Sequence, residues 1–174
     1  LFLLIIPYNF IFNNHVNLDK EISVDIHQIL SPLNKINRET VEQNIISIIE
    51  NSNSDYIIFA ENNYPYIINK KKYSDLKKYI KNEKKVIIGA TRFEDQRFYN
   101  SFLLLEKEQI QFFDKKYLVP FGEFLPFRKY FKFMEKISGK NDFSIGDNER
   151  VLKTKDNIKI LPIICYEIIF ERIL

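Results

Sequence analysis

The chain has 174 residues, 45% hydrophobic and 28% charged, which suits one domain with a substantial core and excludes a disordered polymer. A single Cys, Cys165, excludes an internal disulfide and leaves too few thiolates for a Cys-rich zinc site or an iron–sulfur cluster. Lys plus Arg number 26 against 23 Asp plus Glu, and this net +3 is too weak and too evenly mixed to read as a nucleic-acid footprint. With its only Met at position 134, the chain reads as a segment without its start.

The opening LFLLIIPYNFIF, Leu1 to Phe12, is almost wholly apolar, and no Lys or Arg precedes Lys20. A bilayer crossing takes about 20 apolar residues, so this run is read as the tail of a transmembrane helix, with residues 1–20 as tail and linker. A buried strand is the competing reading; a signal peptide would call for a basic residue ahead of the apolar run. From Asn37, a plausible N-cap, Val41, Ile45, Ile48 and Ile49 recur on one helical face. Tyr56 to Phe59 is a short continuous apolar run, as expected of a strand covered on both faces, and it stops at Ala60, Glu61 and Asn62. A second helix is expected from Ser74, with Leu76, Tyr79 and Ile80 inward and Lys77, Lys78 and Lys81 outward. Further strands are expected at Val86 to Ala90, Ser101 to Glu106 and Gln109 to Phe113, and a last one at Ile158 to Cys165. Between them, Lys115 to Lys140 is a long aromatic and basic stretch. Strands alternating with helices early in the chain predict an α/β layered domain, and neither an internal repeat nor a low-complexity linker interrupts it.

Three residues stand where chemistry is feasible. Cys165 ends an apolar run and is either a small core hydrophobe or a nucleophile, which needs a base and donors for an oxyanion. Glu61 directly follows YIIFA, at the carboxyl end of a buried strand where side chains converge in layered α/β folds; it is either a solvated loop residue or that base. Lys115 holds the same strand-end position after Gln109 to Phe113 and is either a surface charge or an oxyanion stabiliser. Taken singly, none of the three is specific.

Local sequence changes the balance. FDKKYLVPFGEFLPF at Phe113 to Phe127, FAENNYP at Phe59 to Pro65 and IICYEIIF at Ile163 to Phe170 together resemble the apolipoprotein N-acyltransferases, a membrane-bound branch of the nitrilase superfamily. RFYNSFLLL at Arg97 to Leu105, GATR at Gly89 to Arg92 and DFSIGD at Asp142 to Asp147 add to the likeness. LVPFGEFLPF, close behind Lys115, looks like the acyltransferase branch and unlike the shorter Lys motif of soluble amidases. The chain departs from the family where Phe59 and Ala60 stand in place of the usual Trp and Ser or Pro.

The resemblance implies an α/β, nitrilase-like αββα layered sandwich, incomplete at the C-terminal side, with residues 21–174 forming a partial catalytic domain. It implies a Glu-Lys-Cys triad on Glu61, Lys115 and Cys165, with Glu123, Tyr166 and Glu167 in substrate-binding or supporting roles and the Tyr166 backbone N–H as an oxyanion donor. It further implies a phospholipid acyl donor, a lipoprotein acceptor, an inner-membrane location with the catalytic domain on the periplasmic side, and no cofactor or metal. Phe124, Leu125, Phe127 and Phe131, interleaved with Arg128, Lys129 and Lys132, fit a membrane-facing loop; a core helix with a basic outer face is the other reading. A soluble nitrilase-type amidase and an inactive truncated remnant are the alternative functions, and the segment by itself is expected to be inactive.

Overall fold

The computed structural model describes residues 21–29, 37–81, 83–131, 133, 135 and 141–170; the apolar opening, Leu1 to Phe12, lies outside them. Five strands form one sheet in chain order: β1 (Val24–His27), β2 (Tyr56–Phe59), β3 (Lys85–Glu94), β4 (Arg97–Leu105) and β5 (Ile110–Asp114). The first three are parallel and the last two join antiparallel. Helices α1 (Arg38–Asn51) and α2 (Lys70–Lys77) make the two crossovers between the parallel strands. Right-handed crossovers advancing in one direction across a sheet place both helices on the same face. Accordingly Val41, Ile45 and Ile49 of α1 and Leu76 of α2 share a core with Ile57, Phe59, Val86, Ile88, Leu103 and Leu105.

The alternate residues of the same strands face the other way. Tyr56, Ile87, Leu104 and Phe113 pack with Leu152 and Ile164, under a second, two-stranded sheet of β6 (Leu152–Lys153) and β7 (Lys159–Ile160). The architecture is therefore mixed α/β, with helices over one face and an incomplete second sheet over the other.

Local chemistry accounts for the boundaries. The Asn37 side chain accepts from the backbone N–H of Glu39 and Thr40, the expected N-cap. The second helix begins at Lys70, before the expected Ser74, because Asn69 caps it by accepting from Lys72 N–H; Tyr79 and Ile80 lie beyond its end, in the following turn. Strand β3 runs past Ala90 to Glu94 because a two-residue turn with left-handed backbone at Asp95 and Gln96 pairs it directly with β4.

The last expected strand is corrected most. Only Lys159–Ile160 pairs, and the chain from Leu161 runs unpaired into a 3-10 helix at Cys165–Ile169. Pro162 has no N–H to offer a ladder, and Cys165 has φ 52, which ends extended backbone. No helix among the described residues is long and apolar enough to cross a membrane.

Candidate active site

Because β5 is antiparallel to β4, and β4 to β3, β5 runs in the same direction as β2 and β3. The carboxyl ends of β2 and β5 thus emerge at one end of the sheet, carrying Glu61 and Lys115 just beyond their last residues. The start of β4 lies at that same end, where Lys115 N–H donates to Asn100 O at 2.8 Å and extends the β4–β5 ladder by one residue.

There the side chains form a closed ring. Lys115, 1% exposed, holds its Nζ 2.9 Å from Glu123 Oε2 and 4.0 Å from Glu61 Oε1. Asn100 Nδ2 donates to both carboxylates, 2.7 Å to Glu61 Oε1 and 2.6 Å to Glu123 Oε1, and its Oδ1 is buried without a hydrogen-bond partner. Glu123 is fixed further by accepting from Val119 N–H at 2.8 Å. One ammonium and one amide therefore separate two carboxylates that would otherwise repel. Asn100 carried no role in the sequence reading; its signal was a polar pair, Asn100 and Ser101, inside the otherwise apolar pattern of β4. Among the described residues, no group of three or more His, Cys, Asp or Glu is arranged to hold a metal ion.

Glu61 and Cys165 line one cavity of about 230 Å³, together with Phe59, Asn100, Ser101 and Ile164. Gly89 forms its floor beneath Glu61: a Cβ there would lie 2.6 Å from Glu61 Cα and 2.8 Å from Ala60 O, so only glycine lets β3 approach the end of β2 this closely. Cys165 is exposed, in the left-handed region, at the first position of the 3-10 helix. Such a turn lifts a side chain off the chain's path, at a conformational cost that concentrates at functional sites.

Glu167, two residues on, is fully buried. Its carboxylate accepts from Ile164, Lys116 and Tyr117 N–H and pairs with Arg150. Burial alone would push this carboxyl up, but the Arg150 guanidinium and the three backbone donors hold it below the usual carboxylate range. Glu167 thus ties the Cys165 turn to the residues after Lys115. Tyr166 is half exposed; its ring meets Phe170 edge-on at 5.8 Å, and Phe170 stacks on Tyr117 at 4.5 Å.

The DFSIGD segment straps the site from outside. Phe143 N–H donates to Glu123 O at 2.8 Å and Gly146 N–H to Lys115 O at 3.0 Å. Residues 121–130 run as successive turns, not as a helix. Phe127 and Tyr130 are 76% and 82% exposed, and Phe131 and Phe133 are also exposed. Leu125, expected outward, is instead 3% exposed, because its N–H is held by Asp142 Oδ1 at 2.8 Å and the turn folds it inward; Phe124 is half-buried. Arg128 braces the same turn through Asp142 and Glu135.

No family model matches the chain. Among curated proteins it is 33% identical over 129 residues to the apolipoprotein N-acyltransferase of Rhizobium rhizogenes, covering 67% of this chain and 24% of that protein. It is 30% identical over 138 residues to the apolipoprotein N-acyltransferase of Campylobacter jejuni, covering 76% of this chain and 30% of that one. Among solved structures it is similar to a glutamine-dependent NAD(+) synthetase from Cytophaga hutchinsonii, with TM-score 0.48 and 14% identity over 79% of this chain and 24% of that one. XC1258 from Xanthomonas campestris, a CN-hydrolase superfamily protein, gives TM-score 0.39 and 12% identity over 77% of this chain and 48% of that one. The chain spans 24% to 30% of the length of these two curated relatives. Over that span it is a sequence relative of the apolipoprotein N-acyltransferases, the family its motifs resemble.

Proposed function

We propose that this chain carries catalytic residues of an acyltransferase that moves an acyl chain from a phospholipid, through a thioester on Cys165, to the α-amine of a diacylglyceryl-Cys at a lipoprotein N-terminus. The observation that carries this reading is the meeting of Glu61 and Cys165 at one cavity, with the Lys115 ammonium 4.0 Å behind the Glu61 carboxylate.

In this mechanism Glu61 takes the Cys165 proton and the thiolate attacks the phospholipid ester carbonyl. The Lys115 ammonium and the Tyr166 N–H stabilise the tetrahedral oxyanion. Collapse breaks the ester bond, and the lysophospholipid leaves with the proton held by Glu61. The lipoprotein amine then attacks the thioester, Glu61 accepts its proton, and Cys165 leaves as thiolate. Splitting the transfer helps because a thiolate leaves an acyl carbon more readily than an alkoxide does. Glu123 and Asn100 keep Lys115 and Glu61 in register, since each touches both charged partners or their neighbours.

The exposed Phe127, Tyr130, Phe131 and Phe133, with exposed Lys129 among them, support a lipid-facing rim, and the family resemblance implies the periplasmic surface of the inner membrane as its place. A soluble amidase, using water as second nucleophile, would have no use for such a rim. The test is Cys165→Ala in the full-length protein: labelled phospholipid should leave no acyl group on the enzyme, and N-acylation persisting at the normal rate would overturn the reading.

A further inference from the structure

One arginine outside every motif named above touches both flanks of the Cys165 turn. Arg150 Nη1 donates to Pro162 O at 2.7 Å, three residues before the thiol, and to Glu167 Oε2 at 3.1 Å, two residues after it. Its Nη2 donates to Glu167 Oε1 at 3.0 Å, completing a two-point grip on the carboxylate. The guanidinium lies 4.4 Å over the ring of Phe113, two residues before Lys115. Its side chain is 12% exposed, and that of Glu167 is fully buried.

We infer that Arg150 is a positioning residue that sets the placement of Cys165 against Lys115 and Glu61. The inference rests on the acyl-transfer reading above. The physical reason is geometric. Cys165 sits in left-handed backbone, which an L-residue leaves unless its surroundings over-determine it. A planar fork with five donors can hold a carbonyl, a carboxylate and an aromatic face at once, and a lysine ammonium cannot reproduce that set. Glu167 passes the constraint on, because it also accepts from Lys116 and Tyr117 N–H at 2.9 and 3.2 Å. Strand β5 and the nucleophile turn are thus held at a fixed separation by one side chain that takes no part in proton or acyl transfer.

The test uses the full-length protein in phospholipid–detergent micelles, with labelled phospholipid as acyl donor and rates normalised to folded enzyme. Arg150→Gln should lower the rate of acyl-enzyme formation about 100-fold, as a displacement near 1 Å can, with the loss in kcat and little change in KM. Arg150→Lys should fail to restore the rate. Arg150→Gln with Glu167→Gln removes both buried charges, so it should regain thermal stability over Arg150→Gln without regaining rate. A rate per folded molecule near wild type in these variants, however unstable they are, overturns the inference, and so does a loss confined to KM. Cys165→Ala run in parallel separates the two claims: if it still acylates, the acyl-transfer reading fails; if it is dead while Arg150→Gln is normal, the positioning role alone fails.

Discussion

Asp114 and Lys115 are neighbours in the chain, 2% and 1% exposed, yet they sit in opposite kinds of surroundings. Asp114 is saturated. It accepts from Arg92 Nε at 3.0 Å, from Arg92 Nη2 and from Ser101 Oγ, while a Cβ on Gly146 would lie 2.2 Å from its carbonyl oxygen. Burial pushes the Arg92 guanidinium down, but Asp114 and Glu94 hold it above its ordinary value. Lys115 shares its ammonium unequally between Glu123 and a more distant Glu61, and of these it is Glu61 that lines the cavity with Cys165. A buried charge whose partners are all in place is scaffolding; one loosely paired to a carboxylate that faces open space can respond to a substrate.

That contrast yields graded outcomes. Asp114→Asn should cost the most stability, about 3 kcal/mol, because it takes the buried counter-charge from Arg92 and leaves it only the more exposed Glu94. Melting of the purified protein checks this, and the rate per folded molecule should stay close to wild type. Lys115→Met should show the reverse, about 100- to 1,000-fold slower acyl-enzyme formation with a smaller drop in melting temperature. An exchange of these two profiles would break the comparison. Gly89→Ala should slow the reaction about 100-fold, since the new Cβ meets only backbone atoms of Ala60, Glu61 and Asn62 and must move Glu61. The smallest effect is in pH. The folded Glu167 carboxyl lies below its ordinary value of 4.5, so as pH falls the unfolded chain takes up the proton first. Its contribution is complete above that value, shrinks below it and is gone once the pH passes the folded value. Melting temperature should therefore fall on acidification below pH 4.5, more gently in Glu167→Gln than in wild type.

The elements most legible in the sequence were those whose local chemistry and packing agree. Strand β2 falls on the expected Tyr56 to Phe59, and α1 starts at its expected cap, because apolar runs and capping oxygens act within a few residues. Strand β1 was not anticipated; it is short, at the sheet edge and half-exposed, so little in its sequence marks a buried strand. Glu61, Lys115 and Cys165 were found as candidates by their strand-end positions and by motif resemblance. Asn100 and Arg150 were not, because their roles rest on partners 39 and 17 residues away, Glu61 and Glu167, which no local pattern announces. Leu125 was misplaced for a related reason: a hydrophobic residue among exposed aromatics looks outward until the Asp142 contact turns it in.

The strictly consecutive order of the main sheet has a consequence for how the chain assembles. Each strand docks on the one before it, and β3 and β4 are joined by a two-residue turn, so the loops to be closed there are short. The contacts that dock the C-terminal part of the chain on this sheet span far more chain, 51 residues from Lys116 to Glu167 beside the site and 71 from Lys85 to Asp156 at the other end of the sheet. Closing those loops costs more entropy and is rewarded only once the sheet exists to receive them. Mutations in the β3–β4 hairpin should therefore slow folding, whereas mutations at Glu167 should chiefly hasten unfolding. On this order the Cys165 turn should be the last part to form and the first to be lost, so that acyl transfer would fade before the sheet melts.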